Sequence, residues 1–279
     1  MSSQKDSYRI TSSESLSLLF QSFATFFSDK IHKLHTSLLN HACSSHISPP
    51  VAPPHFASFA PVTMDEIYKL PSDSSETNCD LDPIPTSLLK QCSSFLLPTI
   101  TNIINLSLNY IIFLDQFKNC SVHPHLKKPS LANLANYRPK SHLSYVSILT
   151  ERVVKTRLTE QLSNNNLLNP FQSAYVRGRC TETTLLSVHD HIIKAMSFQQ
   201  VTCLTLLDLS AAFDTIDHSI FLERLSSWFE IISNALSWKK SYWLNRSFSV
   251  NIEGSKSSSY QLLYGVPQGS VLGPLLFII

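Results

Sequence analysis

Glycine is scarce in this chain, with 5 residues in 279, where average usage near 7% would give roughly 20. Together with 43% hydrophobic and 15% charged residues, that excludes collagen-like, low-complexity and disordered chains. It points to a helix-rich, packed molecule punctuated by its 15 prolines and by polar turns, long enough for one large or two small domains. Paired cysteines are also missing. Cys43, Cys79, Cys92, Cys120, Cys180 and Cys203 stand far apart, with no C-x-x-C and none in a histidine cluster of zinc spacing. They read as reduced thiols, which excludes a disulfide scaffold. The opening MSSQKDSYRITSSES lacks the basic start and apolar run of a signal peptide, so an intracellular location, cytoplasm or nucleus, is expected.

One uncharged run, Gln91 to Leu114, has the nominal length to span a bilayer. Asn102, Asn105 and Asn109 recur at i, i+3 and i+7 while Ile100, Ile103, Ile104, Leu108 and Ile111 fill the opposite side. The pattern predicts a core-packed amphipathic helix and no membrane span.

Leu16, Leu19, Phe20, Phe23, Phe27, Ile31, Leu34 and Leu38 predict a first helix from about Glu14 to Leu39, with Thr11 and Glu14 as its capping box. Residues 44–62 carry five prolines and no charge. They read as a linker that sets residues 1–43 apart from a main domain at 63–279. Thr63 and Glu66 frame a second capping box, and Asp80 to Cys92 reads as a proline-fixed turn feeding a helix. Helical spacing of Leu149, Val153, Val154 and Leu158 predicts another. Beyond these, VTCLTLLDLS from Val201 reads as a buried strand delivering Asp208 at its end. Helices are expected near Ser219 and over Asn234–Leu244, then a hairpin about Gly254.

The charge is unevenly distributed. Residues 1–117 hold 6 basic and 10 acidic side chains, 118–179 hold 10 and 2, and 180–279 hold 6 and 8. The basic middle includes Lys118, Lys127, Lys128, Arg138, Lys140 and Arg177, interleaved with Tyr137, Tyr145 and Tyr175. Cations and stacking faces mixed in this way fit a nucleic-acid channel, and a solvated basic face gives the same composition. A carboxylate on a rigid strand end suits a hard divalent cation, and Asp208 is that candidate; a strand-end carboxylate without a ligand reads the same. Asp214 and Asp217 are better placed as helix caps. In Gly265–Ser270, two glycines flank Gln268, a turn that lets backbone approach a flat ligand or simply turns the chain.

Five stretches, taken in order, resemble the reverse transcriptase of LINE-type non-LTR retrotransposons: DLDPIPTSLLKQC, NYRPKSHLSYVS, NPFQSAYVRGRCTETTLL, LLDLSAAFDTIDHSI and YGVPQGSVLGPLLF, together covering residues 80–279. The last two are the most specific. The resemblance implies an α+β right-hand polymerase with a helix-rich N-terminal region, fingers at about 80–200 and a partial palm sheet from about 201. It implies Asp208 and the Leu209 carbonyl as ligands to two Mg²⁺ ions, with Asp208 catalytic and facing Gln268 across a cleft. By the same resemblance Phe213 excludes a ribose 2′-hydroxyl, Gln268 and Gly269 support the template base and incoming nucleotide, and Arg177, or Val176 in another register, stands at the triphosphate. Lys127, Lys128 and Arg138 would hold nucleic acid, and the partners implied are an RNA template, a DNA primer and dNTPs. Departures at Lys140, Ile148, Ile111, Leu114, Arg179 and Cys180, and a shortened stretch between Lys128 and Asn136, read as a decaying copy. The family's Tyr-x-Asp-Asp motif is not among these 279 residues, so the chain by itself is expected not to polymerise DNA. A nucleic-acid-binding remnant without catalysis and a functionless relic are the competing expectations.

Overall fold

The computed structural model describes residues 13–40, 54–70, 79–127, 133–209 and 211–279, with the side chains of 13–17 and 39–40 excepted. The architecture is mixed helix and sheet around two apolar cores. The larger core is helical, drawing on α2 (Met64–Lys69), α4 (Ser93–Asn109), α5 (Tyr145–Asn164), α7 (His218–Ser227), α8 (Ser233–Trp243) and α9 (Gly273–Ile278). The expected apolar stripes of α4 and α5 are found inside it. Leu149, Val153, Val154 and Leu158 of α5 are all buried, as are Ile100, Ile104 and Leu108 of α4. The polar stripe of α4 is used as well, because Asn105 accepts from the Val62 amide at 2.8 Å and donates to its carbonyl at 3.0 Å. No helix among the described residues is long and apolar enough to cross a membrane.

The predicted box at α2 forms, with the Glu66 amide donating to Thr63 Oγ1 and the Thr63 amide to Glu66 Oε2. Thr11 lies outside the described residues. The proline-fixed turn leads into α3 (Thr86–Gln91), with Pro85 at its N-cap.

The second core lies under a small sheet. Its strands are β1 (Asn119–Leu126), β2 (Tyr137–His142), β3 (Ser247–Ile252), β4 (Ser255–Lys256) and β5 (Tyr260–Gln261), in the order β2-β1-β3-β4 with β5 also on β3. β1 and β3 run parallel and the other pairs are antiparallel. β3 to β5 are the expected hairpin about Gly254, while β1 and β2 were not legible as strands. Pro124 and Pro139 sit directly opposite one another in the β1–β2 register. The Lys127 amide donates to the Asn136 carbonyl three ladder steps on, which makes the 124/139 step a non-hydrogen-bonded pair where neither ring removes a ladder bond.

Three expectations are corrected. The N-terminal helix, α1 (Ser13–Asn40), does not stand apart. Phe23, Ala24 and Phe27 are buried against Cys120, Val122, Tyr137, Phe248 and Val250 of the sheet. The described part of the expected linker, 54–62, is docked as extended chain, with Phe59 and Val62 in the larger core and the Phe56 amide donating to Glu230 at 2.8 Å. Prolines prevent a helix there, but they leave alternate apolar side chains free to bury. Residues 201–209 form no strand. Val201, Leu206, Leu207 and Leu209 are exposed, because a β-branched apolar run becomes a strand only against a partner edge and none of the described strands pairs with it.

Candidate functional site

The two most specific sequence stretches meet. The turn after Tyr264 lies against the 3-10 turn Ala212–Asp214, with the Gly265 amide donating to Ile216 at 2.7 Å and the Val266 amide to Phe213 at 3.0 Å. Gly265 has φ +75°, and a Cβ there would stand 2.6 Å from the Phe213 carbonyl oxygen. Gly269 repeats this on the other side, with φ +122° and a Cβ position 2.6 Å from the Ser141 oxygen, while the Ser141 amide donates to Gln268 at 2.8 Å. The close backbone approach that the glycines permit is therefore made to the chain itself.

Gln268 Nε2 donates to Asp214 Oδ1 at 2.8 Å, and Lys30 of α1 pairs with Asp214 Oδ2 at 3.0 Å. Asp214 is thus a buried, doubly engaged carboxylate and not the helix cap that its position predicts. Asp217 is that cap, accepting from the Ser219 and Ile220 amides. Burial raises its pKa, but hydrogen bonds from Ser219, His35 and the Ile220 amide outweigh that and hold it at about 2. His35 reaches Asp217 from α1 at 2.9 Å and stacks on Tyr264 at 3.6 Å between ring centroids. α1 therefore covers the joint between the two motifs.

Asp208 lies outside this joint, exposed on the unpaired 201–209 run with Leu209 beside it. It joins no group of three or more metal-ligating side chains among the described residues, and the carboxylates as placed do not fit a two-Mg²⁺ centre. Gln268 is engaged by Asp214, and among the described residues no hydrogen bond joins it to Asp208. Phe213 is half-buried, its ring 5.2 Å from Phe277 and 6.4 Å from Tyr175. Arg177 and Val176 lie in the loop before α6 (Thr181–Ser197), Arg177 exposed. Neighbouring Arg179 braces that loop by donating to the Pro170 and Gln172 carbonyls at 2.6 and 2.7 Å.

Part of the basic region shares one surface. Cys120, Val122, Pro139 and Ser141 face α1 across a small cavity, so strand alternation puts His123, His125, Arg138, Lys140 and His142 on the outer face of the β1–β2 pair. Lys127 follows at the end of the same strand, and Lys127, Arg138 and Lys140 are all exposed. Lys128 lies outside the described residues.

Sequence reasoning missed Glu151. Fully buried, it accepts from Tyr242 Oη at 2.9 Å and from the Val271 and Leu272 amides at 2.7 and 3.1 Å, and it faces Arg246 at 3.7 Å. It thereby fastens the chain between the Gly265–Ser270 turn and α9 to α5. Its signal was faint, one of two acids in a basic stretch.

Residues 126–279 match the family described as Reverse transcriptase (RNA-dependent DNA polymerase). The chain is 32% identical over 142 residues to a probable RNA-directed DNA polymerase from transposon BS of Drosophila melanogaster, covering 51% of this chain and 16% of that protein. It is 30% identical over 223 residues to the RNA-directed DNA polymerase from mobile element jockey of the same species, covering 77% and 24%. To the jockey polymerase of Drosophila funebris it is 32% identical over 145 residues, covering 52% and 16%. It thus spans a quarter or less of the length of these curated relatives. With more than half of its residues matched in one continuous block, the chain belongs to the reverse transcriptase (RNA-dependent DNA polymerase) family.

Proposed function

We propose that the chain forms the fingers and first palm segment of an RNA-directed DNA polymerase of the non-LTR retrotransposon type, which takes an RNA template, a DNA primer and dNTPs. The observation that carries this reading is the joint itself. Two motif stretches about 50 residues apart in sequence are locked together by Gln268–Asp214 and by two backbone hydrogen bonds. In this reading Gln268 and Gly269 support the template base and incoming nucleotide, Phe213 stands at the sugar, Arg177 at the triphosphate, and Lys127, Lys128 and Arg138 on the nucleic-acid backbone. Asp208, with the Leu209 carbonyl, serves as the catalytic Mg²⁺ ligand only where 201–209 is paired into a sheet.

The same placement favours a second reading for these 279 residues taken alone, which is binding without catalysis. A labelled primer annealed to RNA, incubated with the chain, Mg²⁺ and dNTPs, is expected to be bound at low salt and not extended. Extension that disappears in Asp208→Asn would overturn the non-catalytic reading. Absence of binding at low salt would remove the nucleic-acid function altogether.

A further inference from the structure

The outer face of the β1–β2 pair carries a second set of potential ligands, away from the motif joint. The Asp80, His123 and His142 ligand atoms all lie within 4.8 Å of one another. Sequence spacing hides the cluster, and pairing creates it. The register sets His142 opposite Ser121 and His123 opposite Lys140, so the two imidazoles are diagonal neighbours on one face, their rings stacked at 4.4 Å. Asp80 arrives from the loop before α3, where one of its oxygens, Oδ2, is held by Ser121 Oγ at 2.7 Å and by Asn251 Nδ2.

We propose that Asp80, His123 and His142 form a binding site for a borderline divalent transition metal of the zinc class, tying the loop before α3 to the β1–β2 pair. Several features of the geometry support this. Oδ2 is fixed by its two donors, which leaves Oδ1 facing His123 Nε2 at 3.8 Å. That separation is long for a hydrogen bond and close to the roughly 3.4 Å between two ligands that are each about 2.1 Å from a tetrahedral zinc. Ser121 and Asn251 act as the outer partners that orient a ligating carboxylate. Two nitrogens and one oxygen suit zinc or cobalt and leave a fourth position for water, whereas Mg²⁺ wants an all-oxygen shell. Cys79, next in sequence, is buried, and its thiol is not among the ligand atoms that converge. Lys140, which also acts electrostatically on both histidines, and Lys256, whose Nζ lies 3.4 Å from the Asp80 carbonyl oxygen, oppose a dication and set the affinity below that of a thiolate site.

The test is titration of the purified 279-residue chain with ZnCl₂ by calorimetry and with CoCl₂ by visible absorption. One equivalent of Zn²⁺ is expected to bind at micromolar chain, to persist in excess Mg²⁺, and to raise the thermal unfolding midpoint. His123→Ala and His142→Ala should each weaken it about tenfold or more. Asp80→Asn keeps an oxygen acceptor for Ser121 and Asn251 while removing the charge, so it tests ligation without dismantling the loop. The intense spectrum of four-coordinate Co²⁺ in the unsubstituted chain makes the same test should the alanine variants not fold. Undiminished stoichiometric binding in His123→Ala/His142→Ala, displacement by Mg²⁺, or a six-coordinate Co²⁺ spectrum would each overturn the site.

Discussion

Lys239 occupies the centre of the larger core, fully buried, its Nζ near the Trp238 and Tyr242 rings and making no hydrogen bond within the protein. Burial, only partly offset by Glu151, pulls its pKa down to about 7 from 10.5. Between those values the unfolded chain binds a proton that the folded chain does not, so stability rises as pH increases from about 7. His123, His142 and His218, all pushed below 6.5, act at lower pH. Cys79 and Cys120, held near 11, contribute with the opposite sign above about pH 9. Urea unfolding between pH 7 and about 8.5 should therefore show a positive slope of up to about 1.4 kcal/mol per pH unit, flattened in Lys239→Met. A slope unchanged by that substitution would show that the ammonium is already solvated. Gly269 gives a second test at this scale. Gly269→Ala places a methyl against the Ser141 oxygen at φ +122°, and a loss of about 1–3 kcal/mol is expected by denaturant titration.

At the scale of elements, α1 is a structural layer, with Phe23 only 1% exposed and its ring edge-on to Tyr137 at 5.0 Å. Phe23→Ala should cost about 3–5 kcal/mol, read as a lowered denaturation midpoint, and it should expose the inner face of the sheet. A loss below about 1 kcal/mol would mean that α1 is not docked there in solution. The amphipathic period of α1 was legible in the sequence, but what it packs on was not. Its partners, Cys120, Tyr137 and Phe248, are scattered along the chain and meet only through the sheet register. The same limit hid β1 and β2, where histidines and prolines mask alternation. The motif order was legible at the site, as were Asp217 and the turn around Gln268. The engagement of Asp214 by Lys30 was not, because it depends on a tertiary contact from 184 residues away. The apolar run at 201–209 shows the converse error, where local propensity predicted a strand that requires a neighbour.

For the whole molecule, the asymmetry that matters is electrostatic. Lys127, Arg138 and Lys140 share one exposed surface of the sheet, while α1, with as many lysines as acids, lies on the other side. Affinity for single-stranded RNA should fall steeply with salt. Replacing the three cations by glutamine should reduce the magnitude of the log–log slope by about 2, at roughly 0.7 per phosphate contact. An unchanged slope would place the phosphate contacts elsewhere. The parallel pairing of β1 with β3 joins Asn119 to Ser247, and this has a further consequence on the ribosome. At roughly 5–20 residues per second, the first strand must wait on the order of ten seconds for its partner to emerge. Until then, the oily underside that Cys120 and Val122 share with Phe23 and Phe27 is closed on one flank only. Nascent chains stalled before residue 247 should therefore be the ones that recruit chaperones.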